Sequence, residues 1–206
     1  DLNKGVRKVG VDENAITLIE DTSRETTVKF MQLNGYLDLL IPRGSGSLIR
    51  SAKENSTVPL IETGTGNCHI FVDSTADIEK AVDIIYNAKT QRYGVCNACE
   101  SLVLMDTVYK TALPKIVNKL REKQVEVRCD ELSYEVVKNV EGVVRATEED
   151  FYTEYCAPII SVKVVSSLDE AIAHINKCST HHSESILTSD KDNAERFLNE
   201  IDSSSV

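Results

Sequence analysis

No apolar run in this 206-residue sequence approaches the ~20 residues that a membrane-crossing helix needs. No cluster of Lys or Arg interrupts a formal net charge of −10. Basic side chains that neutralise phosphates supply most nucleic-acid affinity, so an acidic chain without a basic stripe argues against that partner. A local cationic pocket for a phosphorylated small molecule stays compatible with the balance. The first ten residues are polar and charged, unlike a secretory leader. There is no G-x-G-x-x-G fingerprint, no second C-x-x-C to complete a zinc site, and no serine in a glycine-elbow context. Neither a membrane span nor a metal site is expected.

What is present is the composition of a globular protein, 41% hydrophobic and 27% charged, long enough for one or two domains. Six cysteines in a chain of this size read as reduced, cytoplasmic thiols rather than a disulfide framework. Asn55-Ser56-Thr57 fits the glycosylation pattern, which matters only in a secreted protein.

The hydrophobic pattern alternates strand and helix. Residues 15–19, 37–41 and 58–61 read as strands, with helices expected over 22–33 and from about Leu48. After the loop Thr63-Gly64-Thr65-Gly66-Asn67, strands are expected at 69–72, 101–105, 125–129, 159–165 and 185–188. Ile78, Ala81, Val82 and Ile85 fall at helical spacing behind a capping pattern of Ser74 and Asp77. Leu168, Ala171, Ile172 and Ile175 repeat it behind Ser167 and Glu170, and Ala194, Phe197, Leu198 and Ile201 show the same spacing. Ser204-Ser205-Val206 reads as the opening of another strand. The fold class is α/β on both sides of a division expected near residues 62–67.

Few residues carry chemistry. Gly44-Ser45-Gly46-Ser47 joins a strand to a helix; glycines let backbone approach a ligand, and free N–H groups at a helix start attract phosphate. Such turns also serve simply to reverse the chain. Arg43 beside it is an anion contact or an ordinary surface cation. Cys96 follows Gly94 in a segment where a turn with free N–H groups can lower a thiol pKa; the competing reading is a small buried hydrophobe. Cys96 and Cys99 form a C-x-x-C, compatible with a redox pair or half a zinc site. Cys178, His181 and His182 fall within five residues, in a polar loop that is a weak metal candidate. His174 lies beside an apolar stripe, as a structural histidine would.

Several segments resemble one family when taken in order. They are Ile41-Pro42-Arg43-Gly44, Thr57-Val58-Pro59, Gly66-Asn67-Cys68-His69, Asn87-Ala88-Lys89-Thr90-Gln91-Arg92, Val95-Cys96-Asn97-Ala98, Glu154-Tyr155 with Ala157-Pro158, the run 169–176 and His182-Ser183-Glu184. Together they resemble the bacterial gamma-glutamyl phosphate reductases, from about Ala15 to Val206. The resemblance implies an aldehyde-dehydrogenase-like architecture: residues 1–63 as a partial, Rossmann-type NADP-binding domain and 64–206 as an α/β catalytic domain. It implies NADPH-dependent reduction of L-glutamyl 5-phosphate to L-glutamate 5-semialdehyde in proline biosynthesis, by a cytoplasmic homo-oligomer.

Cys96 stands at the family's nucleophile position, so the resemblance implies a Cys96 thioester. Cys99 replaces a small residue there, which makes the C-x-x-C look incidental. The turn matches the relatives' cofactor contact, which makes Arg43, Gly44, Ser45, Ser47 and Gly64 the cofactor candidates, with Ser45 in place of a second glycine. Glu62 lies near the catalytic glutamate of aldehyde-oxidising relatives; His182 and Glu184 match a family segment without an assigned role. An aldehyde-oxidising dehydrogenase and a thiol redox module are the alternatives. The family's first nucleotide-fold half and its Asn-Ala-Ser-Thr-Arg-Phe segment are missing. The chain is therefore expected to be an internal piece of a longer protein, truncated at both ends and inactive alone.

Overall fold

Prolines limit how much sheet the first part of the chain can make. In the computed structural model, which describes residues 2–44, 46–61 and 64–206, the chain divides into two units, Asp1–Thr63 and Gly64–Val206. The described residues of the first unit form helices α1 (Leu2–Lys8), α2 (Arg24–Phe30) and α3 (Gly46–Asn55). Ser23 starts α2 by accepting a hydrogen bond from the Thr26 N–H.

The strands expected in this unit are not formed. Residues 13–15 make a 3-10 turn that runs into coil, leaving Ile16, Leu18 and Ile19 exposed. Segments 37–41 and 58–61 meet at a single parallel bridge, Leu40↔Leu60. The Leu40 N–H donates to the Pro59 carbonyl and the Ile61 N–H to the Leu40 carbonyl. The next donors of a parallel ladder would be the N–H groups of residues 59 and 42, and both are prolines. The bridge cannot lengthen in either direction, which corrects the β-α-β-α-β expectation to helices plus isolated bridges, Leu40↔Leu60 and the local Asn34↔Leu37.

The second unit is a doubly wound sheet. Its strands are β1 (Cys68–Val72), β2 (Cys99–Met105), β3 (Glu126–Cys129), β4 (Val143–Arg145), β5 (Ile159–Val165) and β6 (Glu184–Leu187). They run in the order β4-β3-β5-β2-β1-β6, every pair parallel. The helices are α4 (Ile78–Thr90), α5 (Tyr109–Arg121), α6 (Glu131–Val137), α7 (Leu168–Cys178) and α8 (Lys191–Glu200). Successive strand residues face opposite sides. Ile70, Val72, Leu102 and Leu104 pack with α4, α5 and α6, whereas Phe71, Val103 and Met105 pack with α7 and α8. β2 is buried at all seven positions, as a central parallel strand must be.

The caps follow local chemistry. Asp77 alone caps α4, by accepting from the Lys80 N–H. Ser167 accepts from the Glu170 N–H, and the Glu170 carboxylate takes the Ser166 N–H in return. In α8, Phe197 is buried but Leu198 is 54% exposed, so the expected four-residue stripe narrows to Phe197 with Ile201 behind the helix. Ser205 makes one parallel bridge with Ser183 in place of the expected strand.

Candidate active site

Parallel strands put all their leading loops at one edge of the sheet. The loops entering β6, β1, β2 and β5, four adjacent strands, carry His182, Gly66 and Asn67, Cys96, and Glu154 with Cys156. Doubly wound sheets commonly bind ligands at the opposite, carboxyl edge. Here that edge holds a closed network: buried Asp73 accepts from the Thr188 hydroxyl at 2.7 Å and from Thr75 and Asn193 at 3.2 Å. The amino edge is where the Cys96 thiol is exposed.

Cys96 sits in a turn closed by the Ala98 N–H donating to the Val95 carbonyl at 3.0 Å, and its residue is exposed. The N–H groups of Cys96 and Asn97 make no hydrogen bond among the described residues. All six cysteines are free; Cys68, Cys99, Cys129, Cys156 and Cys178 have raised pKa values. Burial, then the Glu184 charge, pushes the Cys68 thiol up to about 12. Burial, with the Glu100 charge adding to it, takes Cys99 to about 12; burial, with the Asp130 charge adding to it, takes Cys129 to about 11. Cys178 is raised by burial too. Cys156 is exposed, yet partial desolvation and then the Glu154 charge raise it as well. Cys99 is enclosed in the core and donates to the Ser101 carbonyl, so the C-x-x-C does not present two thiols at one surface.

The turn is held by its neighbours. Cys68 Sγ donates to the Cys96 carbonyl at 3.2 Å. Gly66 packs so closely that a Cβ there would overlap the Cys96 carbonyl and lie 2.8 Å from Cys96 Cα. Gly66 donates its N–H to Glu154 Oε1 at 2.8 Å, and Asn67 Nδ2 donates to the carbonyls of Phe151 and Cys178. β1 and β2 shift register between Cys68 and His69, a bulge beside the thiol turn. Glu184 joins β6 to β1: its Oε2 accepts the His69 N–H at 2.6 Å and lies 3.1 Å from His69 Nδ1, both side chains fully buried. His182 Nδ1 lies 3.8 Å from Cys68 Sγ. No metal-holding group of three occurs among the described residues.

Gly66, Lys89, Glu100 and Glu154 were not singled out as site residues by the sequence. Lys89 had a signal: it falls one turn after Ile85 on the buried stripe of α4, where a lysine needs a buried partner. That partner is Glu100, at 2.5 Å. Glu154 lies in one of the family segments, but nothing local points to its Gly66 contact, which spans 88 residues.

The cofactor candidates lie apart from the thiol in the chain. Arg43 is exposed in the first unit. Gly44 has φ +154°, a conformation that disfavours a side chain, and a Cβ there would meet Leu48 Cδ2 at 2.8 Å. Ser47 lines a cleft of about 390 Å³ with Arg24, Thr27, Val28, Leu48 and Ser51, between α2 and α3. Gly64 is exposed at the start of the second unit. Ser45 and Glu62 lie outside the described residues.

Comparison with known proteins decides the family. The aldehyde dehydrogenase family model matches residues 2–136 and 135–206. The chain belongs to the aldehyde dehydrogenase family. It is 50% identical over 205 residues to the gamma-glutamyl phosphate reductase of Agathobacter rectalis, covering all of this chain and 49% of that protein. It is 54% identical over 197 residues to that of Lachnospira eligens, covering 96% of this chain and 47% of the relative. The crystal structure of the Thermotoga maritima gamma-glutamyl phosphate reductase matches with TM-score 0.91 and 48% identity, over all of this chain and 49% of that one. A propionaldehyde dehydrogenase from Clostridium phytofermentans, 17% identical, shares the fold with TM-score 0.77 over 99% of this chain and 54% of its own. The chain spans about half the length of the curated relatives it matches. The resemblance read from ordered short segments therefore holds at the level of family and of α/β fold.

Proposed function

We propose that this chain carries the catalytic thiol of an NADPH-dependent gamma-glutamyl phosphate reductase, which converts L-glutamyl 5-phosphate to L-glutamate 5-semialdehyde and phosphate. The observation that carries the reading is Cys96: an exposed thiol on a turn at the sheet edge, in a chain about half identical to relatives of that name.

The chemistry follows from the residues. The Cys96 thiolate attacks the acyl carbon, the oxyanion forms, and phosphate leaves with the bonding pair to give a thioester. The Cys96 and Asn97 N–H groups, which make no hydrogen bond among the described residues, are suited to donate to that oxyanion. When bound, the nicotinamide cofactor supplies the hydride that takes the acyl carbon to the aldehyde level. Collapse of the thiohemiacetal returns the Cys96 thiolate and frees the aldehyde. No water is activated, so the scheme asks for no hydrolytic base.

For the cofactor we assign the turn at Arg43, Gly44, Ser45 and Ser47, with Gly64. The side-chain-intolerant backbone at Gly44 and the cleft between α2 and α3, with Arg24 and Ser47 on its wall, fit a phosphorylated ligand. Residues 1–63 are then the cofactor part and 64–206 the catalytic part. Six free cysteines support a reducing, cytoplasmic setting.

The test is the reverse reaction in the full-length protein, with glutamate semialdehyde, phosphate and NADP. Cys96→Ser should lower the rate on the order of 10³-fold or more. A variant retaining a tenth of the wild-type rate would overturn the reading.

A further inference from the structure

Lys89 and Glu100 form an ion pair with neither side chain exposed, Nζ to Oε2 2.5 Å. Such a pair is a poor device for stability alone. Desolvation of two charges offsets their attraction, and well-packed apolar replacements are often as stable or more so. Its place in the chain suggests another use. Lys89 lies in the last turn of α4 and Glu100 is the second residue of β2. The pair therefore closes the ends of the connection 90–99, and Cys96 is inside the closed segment.

The remaining Glu100 oxygen reaches outward. Oε1 accepts the N–H of Cys156 at 3.2 Å, in a residue held at φ +49°. Two residues earlier, Glu154 Oε1 accepts the N–H of Gly66, whose backbone abuts the Cys96 carbonyl. The loop entering β5 is thus tied to the thiol turn twice, once through Glu100 and once through Gly66. Burial raises the Glu100 pKa while the Lys89 charge opposes that rise.

We infer that Lys89, Glu100 and Glu154 are positioning residues that fix the Cys96 turn against the strands on either side of it. The inference rests on Cys96 being the reactive thiol. None of the three touches Cys96 Sγ; they act through the backbone of the turn and its neighbours.

The experiment measures the second-order rate of iodoacetamide alkylation at each cysteine by peptide mass spectrometry. Buried Cys99 and Cys129 report in the same digest whether the sheet is intact. In Lys89→Met/Glu100→Leu the pair becomes apolar. Cys96 should react at least about tenfold more slowly, with Cys99 and Cys129 still protected. Glu154→Ala, at a half-buried position, should slow Cys96 about threefold or more under the same protection. A merely structural role would instead expose Cys99 and Cys129 together or leave Cys96 unchanged. Cys96 rates within twofold of wild type in both variants overturn the inference. If the double variant loses protection, Glu154→Ala decides, and an unchanged Cys96 rate there is equally fatal. A wild-type protein in which Cys96 is not the fastest thiol refutes the catalytic assignment itself, a separate outcome.

Discussion

The two units treat the same kinds of residue differently. Residues 64–206 hide Phe71, Leu102, Leu104 and Ile160 completely, between helices on both faces of a sheet. In residues 2–61, Met31, Ala52 and Val58 are the buried apolar side chains among those described, while Leu18, Tyr36, Ile41 and Ile61 are more than half exposed. The run 37–41 is as apolar as many core strands, yet it forms isolated bridges alone, Leu37 with Asn34 and Leu40 with Leu60. An apolar run becomes a parallel strand only when neighbours can accept and donate along it, and Pro42 and Pro59 remove the donors. The catalytic candidate lies in the unit whose core can hold a loop still. The cofactor candidates other than Gly64 lie in the unit with few buried apolar side chains among its described residues.

The largest expected contrast is between two glycines. Gly66→Ala drives a Cβ into the rigid Cys96 backbone and should cost about 4 kcal/mol or more in equilibrium denaturation. Gly44→Ala meets only the flexible end of Leu48, so the cost is the backbone strain of about 1–3 kcal/mol. Equal losses would break the comparison. Core truncation comes next: Phe197→Ala should cost about 3–5 kcal/mol, whereas Ile61→Ala should stay within about 0.5 kcal/mol. A large loss at Ile61 would show that the first unit buries more than its exposed surface indicates.

A smaller effect separates the units by pH. Burial, with His69 beside it, pushes the His174 pKa down to about 4 from an ordinary 6.5. The unfolded chain then binds a proton that the folded one refuses, so stability is full above pH 6.5 and is lost as pH falls toward 4. Between pH 8 and pH 5 the loss is about 2 kcal/mol, and His174→Gln should remove that step. Below it, burial tends to raise the Asp150 pKa, but hydrogen bonds led by Arg128 and Thr147 outweigh it and hold the group at about 2. That contribution is present above pH 3.8 and is lost as pH falls to 2; Asp150→Asn should flatten that limb in urea midpoints measured against pH. In the first unit Asp21 is held low by the Thr26 hydroxyl, but it is fully exposed and should leave no comparable step.

Much of the second unit was legible before any coordinates. The stripes of α4 and α7 and the bounds of β5 follow from apolar spacing and from capping by Asp77 and Ser167. α5 was hidden in part by Pro114 inside it, and β4 by its length of three residues with one buried. Cys96 could be named as a candidate because its signal is local, a glycine followed by a family motif. The contacts of Glu154 with Gly66 and of Glu100 with Cys156 could not be, because they join distant parts of the chain. The strands expected at 37–41 and 58–61 failed for the opposite reason: Pro42 and Pro59 were in view, but their place in the ladder was not.

The central claim is that Cys96, among six free cysteines, is the one poised to react. Brief iodoacetamide treatment of the native full-length protein, followed by peptide mass spectrometry, tests it most directly. The account predicts label at Cys96 first, ahead of Cys156, which is also exposed, and well before buried Cys68 and Cys99. First labelling at Cys156, Cys68 or Cys99 would contradict it.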